Sequence, residues 1–191
     1  VEGAKVASPF LKPAVVPLAI GVLATLFMLQ RRGTASSSGA FGPIMALWFV
    51  VIAAFGVNAI ARVPSVLSAV DPRYAINFLA AHRVHGFLVL GAVVLCISGG
   101  ELLYNELGHH GRGAVRRAWL ALVFPALLLN YFGQGALLIE YGYSPAVLAN
   151  PFFQMVPHAS LLYPTIGLAI VVAFIASQTL IQGAFSLTRQ A

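Results

Sequence analysis

The stretch GPIMALWFVVIAAFGVNAI at residues 42–60 contains no charged side chain and no alternation of polar and apolar residues. About 20 helical residues cross the ~30 Å hydrocarbon layer of a bilayer, so this stretch is long enough to span it. Strands that cross membranes alternate between lipid-facing and lumen-facing residues, which this stretch does not do. We therefore expect a helix, because in lipid each backbone polar group must be satisfied within its own segment.

Four further apolar blocks surround this stretch, at residues 13–30, 85–104, 118–139 and 161–182. Of the 191 residues, 60% are hydrophobic and 8% are charged, whereas soluble domains carry roughly 25% charged residues. The sequence therefore predicts an all-α transmembrane protein with five membrane-spanning helices. We expect no soluble domain within residues 1–191, and we expect a multi-pass protein of the plasma (inner) membrane whose surroundings are the lipid bilayer.

The positive charges, which give a formal net charge of +6, lie in small groups between the blocks. No basic patch is interleaved with aromatic residues, so we expect no nucleic-acid binding. Loops rich in Lys and Arg favour the cytoplasmic side. The arginines that follow the first, third and fifth blocks are therefore expected in the cytoplasm: Arg31, Arg32, Arg112, Arg116, Arg117 and Arg189. The second loop opposes this orientation, since it holds Arg62, Arg73 and Arg83.

Enzymatic chemistry is not indicated by the residues within the blocks. The single cysteine, Cys96, cannot form a disulfide within the chain or a paired-cysteine metal site. His109 and His110 follow the third block near Arg112, a setting that does not favour a metal site. No nucleophile stands with a base inside a span. We therefore expect neither an enzyme nor a bound cofactor.

Glu101 is an acidic residue inside an apolar block, near the end of residues 85–104, with no basic residue within a helical turn. A charged residue at the centre of a membrane helix costs about 2.5–3.5 kcal/mol on insertion scales, so it requires a partner, a cavity or a proton. Loss of hydration favours the protonated carboxyl. The position predicts a group that takes up and releases a proton near neutral pH, as a proton-coupled carrier requires.

Ser98, Gly99 and Gly100 directly precede this carboxyl. Each glycine weakens a helix by roughly 1 kcal/mol relative to alanine, so an interrupted helix is plausible at this point. Unwound backbone frees carbonyl oxygens, which coordinate cations in many secondary transporters. In the alternative interpretation, Glu101 faces lipid headgroups and the glycines only let another helix pack closely. The residues alone leave both interpretations open.

Polar amides also lie within the fourth and fifth blocks, in Asn130-Tyr131-Phe132-Gly133-Gln134-Gly135 and in Ser177-Gln178. Amides at this depth usually hydrogen-bond across helices, and lining a water-filled path is the alternative. Three other acidic residues lie outside the blocks, and we expect them to be solvated loop charges: Asp71, Glu106 and Glu140.

Several runs, in the expected order, resemble the Kup/HAK/KT potassium uptake permeases: Leu29-Gln30-Arg31-Arg32-Gly33-Thr34, Phe41-Gly42-Pro43-Ile44-Met45, His85-Gly86-Phe87-Leu88-Val89-Leu90-Gly91, Asn130-Tyr131-Phe132-Gly133-Gln134-Gly135-Ala136-Leu137-Leu138, Ile175-Ala176-Ser177-Gln178 and Gly183-Ala184-Phe185-Ser186-Leu187. That family belongs to the amino acid, polyamine and organocation superfamily. The resemblance implies an inverted-repeat fold like that of the leucine transporter, of which the five blocks would be helices four to eight. The chain would then be a fragment that lacks the first broken helix of the family and its half of the cation site.

The resemblance also implies a function and a site. Family members carry a Thr-Gly-Ala-Glu-Ala-Leu-Tyr-like run, which here reads Ser98-Gly99-Gly100-Glu101-Leu102-Leu103-Tyr104. K⁺ and H⁺ would be the transported ions, moved together by alternating access. Glu101 would couple the proton and bind K⁺ with the Ser98 hydroxyl and the backbone of Gly99 and Gly100.

Three alternatives to K⁺/H⁺ symport and one question of assembly remain open at this point. The first is a non-transporting membrane subunit or sensor on the same fold, and the second is channel-like K⁺ permeation. A membrane-embedded enzyme is the third, and the absence of a nucleophile with a base disfavours it. Assembly as a homodimer is also left open by the sequence.

Overall fold

The computed structural model describes residues 38–97, 112–142 and 144–190, together with isolated helical positions between Val16 and Ala24. The elements in these ranges are α1 (Ser38–Arg62), a 3₁₀ helix (Pro64–Val70), α2 (Pro72–Ile97), α3 (Arg112–Ala118), a π-helical segment (Trp119–Val123), α4 (Phe124–Tyr141), α5 (Pro145–Ala149), α6 (Pro151–Gln154) and α7 (Ala159–Gln190). No strand occurs within these ranges.

Four stretches of the described residues are long and apolar enough to cross a membrane: Phe41–Arg62, Pro72–Leu95, Arg112–Tyr141 and Ala159–Ile181. The predicted all-α, multi-span architecture is thereby confirmed for this part of the chain. The first predicted block, residues 13–30, lies largely outside the described residues, as does the end of the third. The count of five spans therefore stays a prediction.

The connection between the second and third blocks is helical along most of its length. Residues 61–84, which separate these two predicted blocks, contain the 3₁₀ helix and the first half of α2. Helix α2 is broken at a single residue, Arg83, whose φ of 26° and ψ of −92° are not helical. The predicted third block, which begins at residue 85, thus starts just after this break.

The two halves of α2 fold toward each other at Arg83. A Cβ atom built on Gly86 would lie 3.1 Å from Leu79 Cδ2 and 3.3 Å from Leu79 Cα. Residues seven positions apart in a straight helix are separated by roughly 10 Å along its axis. The absence of a side chain at Gly86 is therefore what lets the second half of α2 approach the first so closely.

The fourth predicted block, residues 118–139, begins at the end of α3 and contains the π-helical segment Trp119–Val123. The backbone N–H of Phe124 donates to the carbonyl of Trp119, five residues earlier. Pro125 explains this widening, since it has no N–H to give to the carbonyl of Ala121 and its ring would clash with that carbonyl in a regular α-helix. The apolar span consequently begins at Arg112 and ends at Tyr141.

The core of the described residues lies where α1 packs along α4, which is the most extensive contact between any two elements. The connection after α4 returns to this pair through α5 and α6 and covers one side of it. The buried cluster comprises Phe55, Ala59, Val66, Ala136, Leu137, Val147 and Met155. Helix α7 adds a smaller contact with α1.

Candidate functional site

The residues predicted to form the cation site, Ser98, Gly99, Gly100 and Glu101, lie outside the described residues. Their roles therefore stay predictions. Among the polar and glycine residues predicted in the fourth and fifth blocks, Asn130, Gly133 and Gln178 are buried, whereas Tyr131 is exposed.

Helices α1 and α4 cross with their backbones in direct contact at Gly56 and Gly133. A Cβ atom on Gly133 would lie 2.7 Å from Gly56 Cα and 2.8 Å from Met155 Sδ. A Cβ atom on Gly56 would collide with the carbonyl of Leu129 and lie 2.9 Å from the backbone nitrogen of Asn130. No real Cβ atom tolerates such distances, so only glycine fits at either position. Small residues are what allow helices to associate closely in membranes.

Asn130 lies next to this crossing, one helical turn before Gly133. The residue is only 7% exposed, and its Oδ1 atom is buried without a hydrogen-bond donor within the described residues. The interhelical hydrogen bond expected of this amide is therefore not made by the described part of the chain. An oxygen in this state is destabilising until a donor, a water molecule or a cation reaches it.

Helix α7 contributes two further buried polar residues, Thr165 and Gln178, which are 4% and 1% exposed. The Thr165 hydroxyl donates to the carbonyl of Leu161 at 2.7 Å, so its hydrogen-bonding need is met within its own helix. Gln178, which the sequence predicted to lie within a span, is indeed enclosed by protein. Both residues belong to the interior of the bundle rather than to its lipid-facing surface.

An ion pair joins the far ends of α1 and α4. Arg62 Nη1 lies 3.5 Å from Glu140 Oε2, with side chains that are 39% and 28% exposed. The expectation that Glu140 is a solvated loop charge is wrong, because α4 continues to Tyr141 and carries Glu140 in its last turn. An exposed pair of this kind contributes about 0–1 kcal/mol, so it orients the two helix ends more than it stabilises them.

Three of these features were missed by reasoning from the sequence: the Gly56 contact, the Gly86 contact and the Arg62–Glu140 pair. The signal for the first was present, since Gly56 interrupts the apolar run of residues 42–60. Its partner was not identifiable, because a single sequence does not say which helices touch.

Comparison with known proteins gives a match along the whole chain. Residues 1–191 match the family described as K⁺ potassium transporter integral membrane domain. The "probable potassium transport system protein Kup" of Azoarcus sp. (strain BH72) is 52% identical over 191 residues, which are 100% of this chain and 29% of that protein. The corresponding Kup 2 protein of Syntrophobacter fumaroxidans is 54% identical over 191 residues, again 100% of this chain and 29% of the relative.

A third relative, the "probable potassium transport system protein Kup" of Thiobacillus denitrificans, is 50% identical over 190 residues, 100% of this chain and 30% of its own length. The chain thus spans less than a third of the curated relatives it matches. No solved structure matches it significantly. With four helices in the described residues able to cross a membrane, the chain is part of a multi-pass integral protein of the plasma membrane. It belongs to the K⁺ potassium transporter integral membrane domain family.

Proposed function

We propose that the chain is part of a potassium ion transporter that moves K⁺ together with protons by alternating access. The observation that carries the proposal is the family match over residues 1–191, together with relatives more than 50% identical that are named as potassium transport proteins. Because the chain covers only 29% of these relatives, the activity proposed is that of the whole protein that carries it.

The proposed architecture is a five-span part of an inverted-repeat fold like that of the leucine transporter. In that fold a discontinuous helix places backbone carbonyls and helix ends at a midplane ion site. The proposed discontinuity is at Ser98-Gly99-Gly100, where two adjacent glycines weaken the helix. Among the described elements, the tight α1–α4 pair would serve as one rigid body against which the mobile parts of the transporter move.

The proposed site uses oxygen ligands, which suit K⁺ because it is a hard cation. Glu101 would bind K⁺ with the Ser98 hydroxyl and the backbone carbonyls of Gly99 and Gly100. Protonation of Glu101 on the outer side would favour the occupied, reorienting state. Release of the proton to the higher-pH cytoplasm would then reset the site. A carboxyl in an apolar span supports this role, since such residues commonly form proton relays in transporters.

The experiment is Rb⁺ uptake by the full-length protein that carries Glu101→Gln, measured across a range of external pH. We expect uptake to fall by at least tenfold and its pH dependence to disappear, because the amide cannot exchange a proton. Glu106→Gln is the matched control, since it removes a neighbouring carboxyl to which we assign no role. Wild-type uptake with unchanged pH dependence in Glu101→Gln would remove Glu101 from the mechanism.

The same preparation separates symport from the alternatives. Uptake that persists at full rate after collapse of the proton gradient indicates channel-like permeation rather than coupling. A purified protein that inserts in liposomes but takes up no Rb⁺ under any gradient indicates a non-transporting subunit or sensor. The mass of the purified protein in detergent decides whether it assembles as a homodimer.

A further inference from the structure

A basic groove lies at the start of the third described span. Its described lining is Gly113, Arg116, Arg117, Leu120 and Ala121, and it is a shallow groove, open to the surroundings, with a volume of about 670 Å³. All five residues are exposed. None of these residues takes part in the α1–α4 crossing.

The groove has two chemically different ends. Arg116 and Arg117 supply two positive charges, which attract a phosphate group and donate charge-assisted hydrogen bonds to its oxygens. Leu120 and Ala121 follow one turn later and give an apolar wall that continues into the span. Because a helical turn advances 5.4 Å, the charged end and the apolar wall follow each other along the helix axis.

The charge of the groove is not compensated by the described part of the chain. The acidic residues in the described part of the chain are Asp71 and Glu140, and neither lines the groove. Glu140 is in the last turn of α4, at the opposite end of the span that begins at Arg112. Arg117 Nε donates to the carbonyl of Gly113 at 3.3 Å, which holds this guanidinium against the helix that forms the groove.

The position of the groove fits the boundary between the hydrocarbon layer and the headgroups. It is at the first turns of an apolar span, Arg112–Tyr141, and Trp119, 39% exposed, lies beside it. Tryptophan is enriched at this depth in membrane proteins. A soluble anion would gain nothing from the apolar wall, whereas a phospholipid has a phosphate for the arginines and acyl chains for Leu120 and Ala121.

We propose that this groove binds the headgroup of an anionic phospholipid, with its phosphate between Arg116 and Arg117 and its acyl chains along Leu120 and Ala121. The lipid would anchor the start of the span at the membrane surface that the arginines favour. The proposal does not depend on the identity of the transported ion.

The test is native mass spectrometry of the full-length protein with phosphatidylglycerol and phosphatidylcholine of identical acyl chains. Each basic residue near an anionic surface contributes roughly a factor of five to binding. We therefore expect Arg116→Gln and Arg117→Gln each to lower the preference for phosphatidylglycerol about fivefold and the double variant about 30-fold. Binding of phosphatidylcholine should fall less, because its phosphate is neutralised by its own choline cation. Arg73→Gln, which removes an exposed arginine outside the groove, is the matched control and should leave the preference intact.

Two further measurements keep the proposal falsifiable. If the double glutamine variant does not fold, Arg116→Lys with Arg117→Lys retains both charges and must retain most of the preference. Loss of the preference in the lysine variant, or an unchanged preference in the glutamine variant, overturns the proposal. Displacement of phosphatidylglycerol from the wild-type protein by millimolar inorganic phosphate also overturns it, because the groove would then be a site for a soluble anion.

Discussion

Two spans with the same mean hydropathy, Pro72–Leu95 and Arg112–Tyr141, differ strongly in how they pack. Within an apolar 18-residue window of each span, only 6% of the first is buried in the described structure, against 28% of the second. Val84 and Phe87 in the first are 71% and 72% exposed. An apolar composition therefore places a helix in the membrane but does not place it against another helix. Lipid tails are as apolar as leucine, so association requires close packing instead.

The difference between the two spans can be traced to what their glycines contact. Gly133 in the second span meets Gly56 of another helix, and Gly135 faces Val66, whose Cγ2 would lie 3.2 Å from an added Cβ. The atoms nearest to an added Cβ on Gly86 in the first span belong to Leu79 of the same helix, and an added Cβ on Gly91 meets no described atom within 4 Å. The same residue type thus joins two helices in one region and folds one helix on itself in the other.

The largest loss of stability is expected from a substitution at the α1–α4 crossing. Gly133→Leu inserts a side chain where even a Cβ would lie 2.7 Å from Gly56 Cα. We expect the free energy of unfolding to fall by about 3 kcal/mol or more, since overpacking between two backbones cannot relax through rotamers. Thermal unfolding of the detergent-solubilised full-length protein measures this loss. Gly91→Leu is the control and should behave as wild type; equal stability of the two variants would contradict the contact.

A smaller effect is expected at the break in α2. Gly86→Ala places a Cβ atom 3.1 Å from Leu79 Cδ2 and 3.3 Å from Leu79 Cα. We expect a loss of about 1 kcal/mol, because the leucine side chain can move but its backbone cannot. Gly91→Ala should instead be neutral or stabilising by roughly 0.5–1 kcal/mol, since alanine is favoured over glycine inside a helix. Thermal unfolding of both variants checks the difference, and the same sign for both would argue against the folded-back geometry.

The smallest effect is expected at the Arg62–Glu140 pair. Glu140→Gln should lower the free energy of unfolding by less than about 1 kcal/mol, because both side chains are partly exposed and screened by solvent. A double-mutant cycle with Arg62→Gln, measured at low and high salt, isolates the pair. A coupling that does not weaken with salt would show that the pair is more enclosed in the full-length protein than in the described residues.

The positions of the described helices were largely predictable from the sequence, but which helices pack against each other was not. The uncharged run at residues 42–60 lies within α1, Ser38–Arg62, because length and apolarity alone decide that a segment spans a membrane. The π-helical segment could have been inferred from Pro125, whose effect on the helix is local. The Arg83 break and the Gly56–Gly133 contact depend on tertiary packing, which one sequence does not reveal. Glu101 and its neighbours lie outside the described residues, so that part of the site rests on the sequence.

The π-helical segment Trp119–Val123 changes the directions in which α3 and α4 face relative to each other. A residue added to one helical turn rotates everything beyond it by about 100° relative to a continuous α-helix. A helical wheel drawn through residues 112–141 as one uniform helix would therefore misassign the angle between Arg116 and Gly133. Because of this offset, the direction in which Arg116 faces is not tied to the direction in which Gly133 faces. Arg116 can face the membrane surface while Gly133 packs against α1.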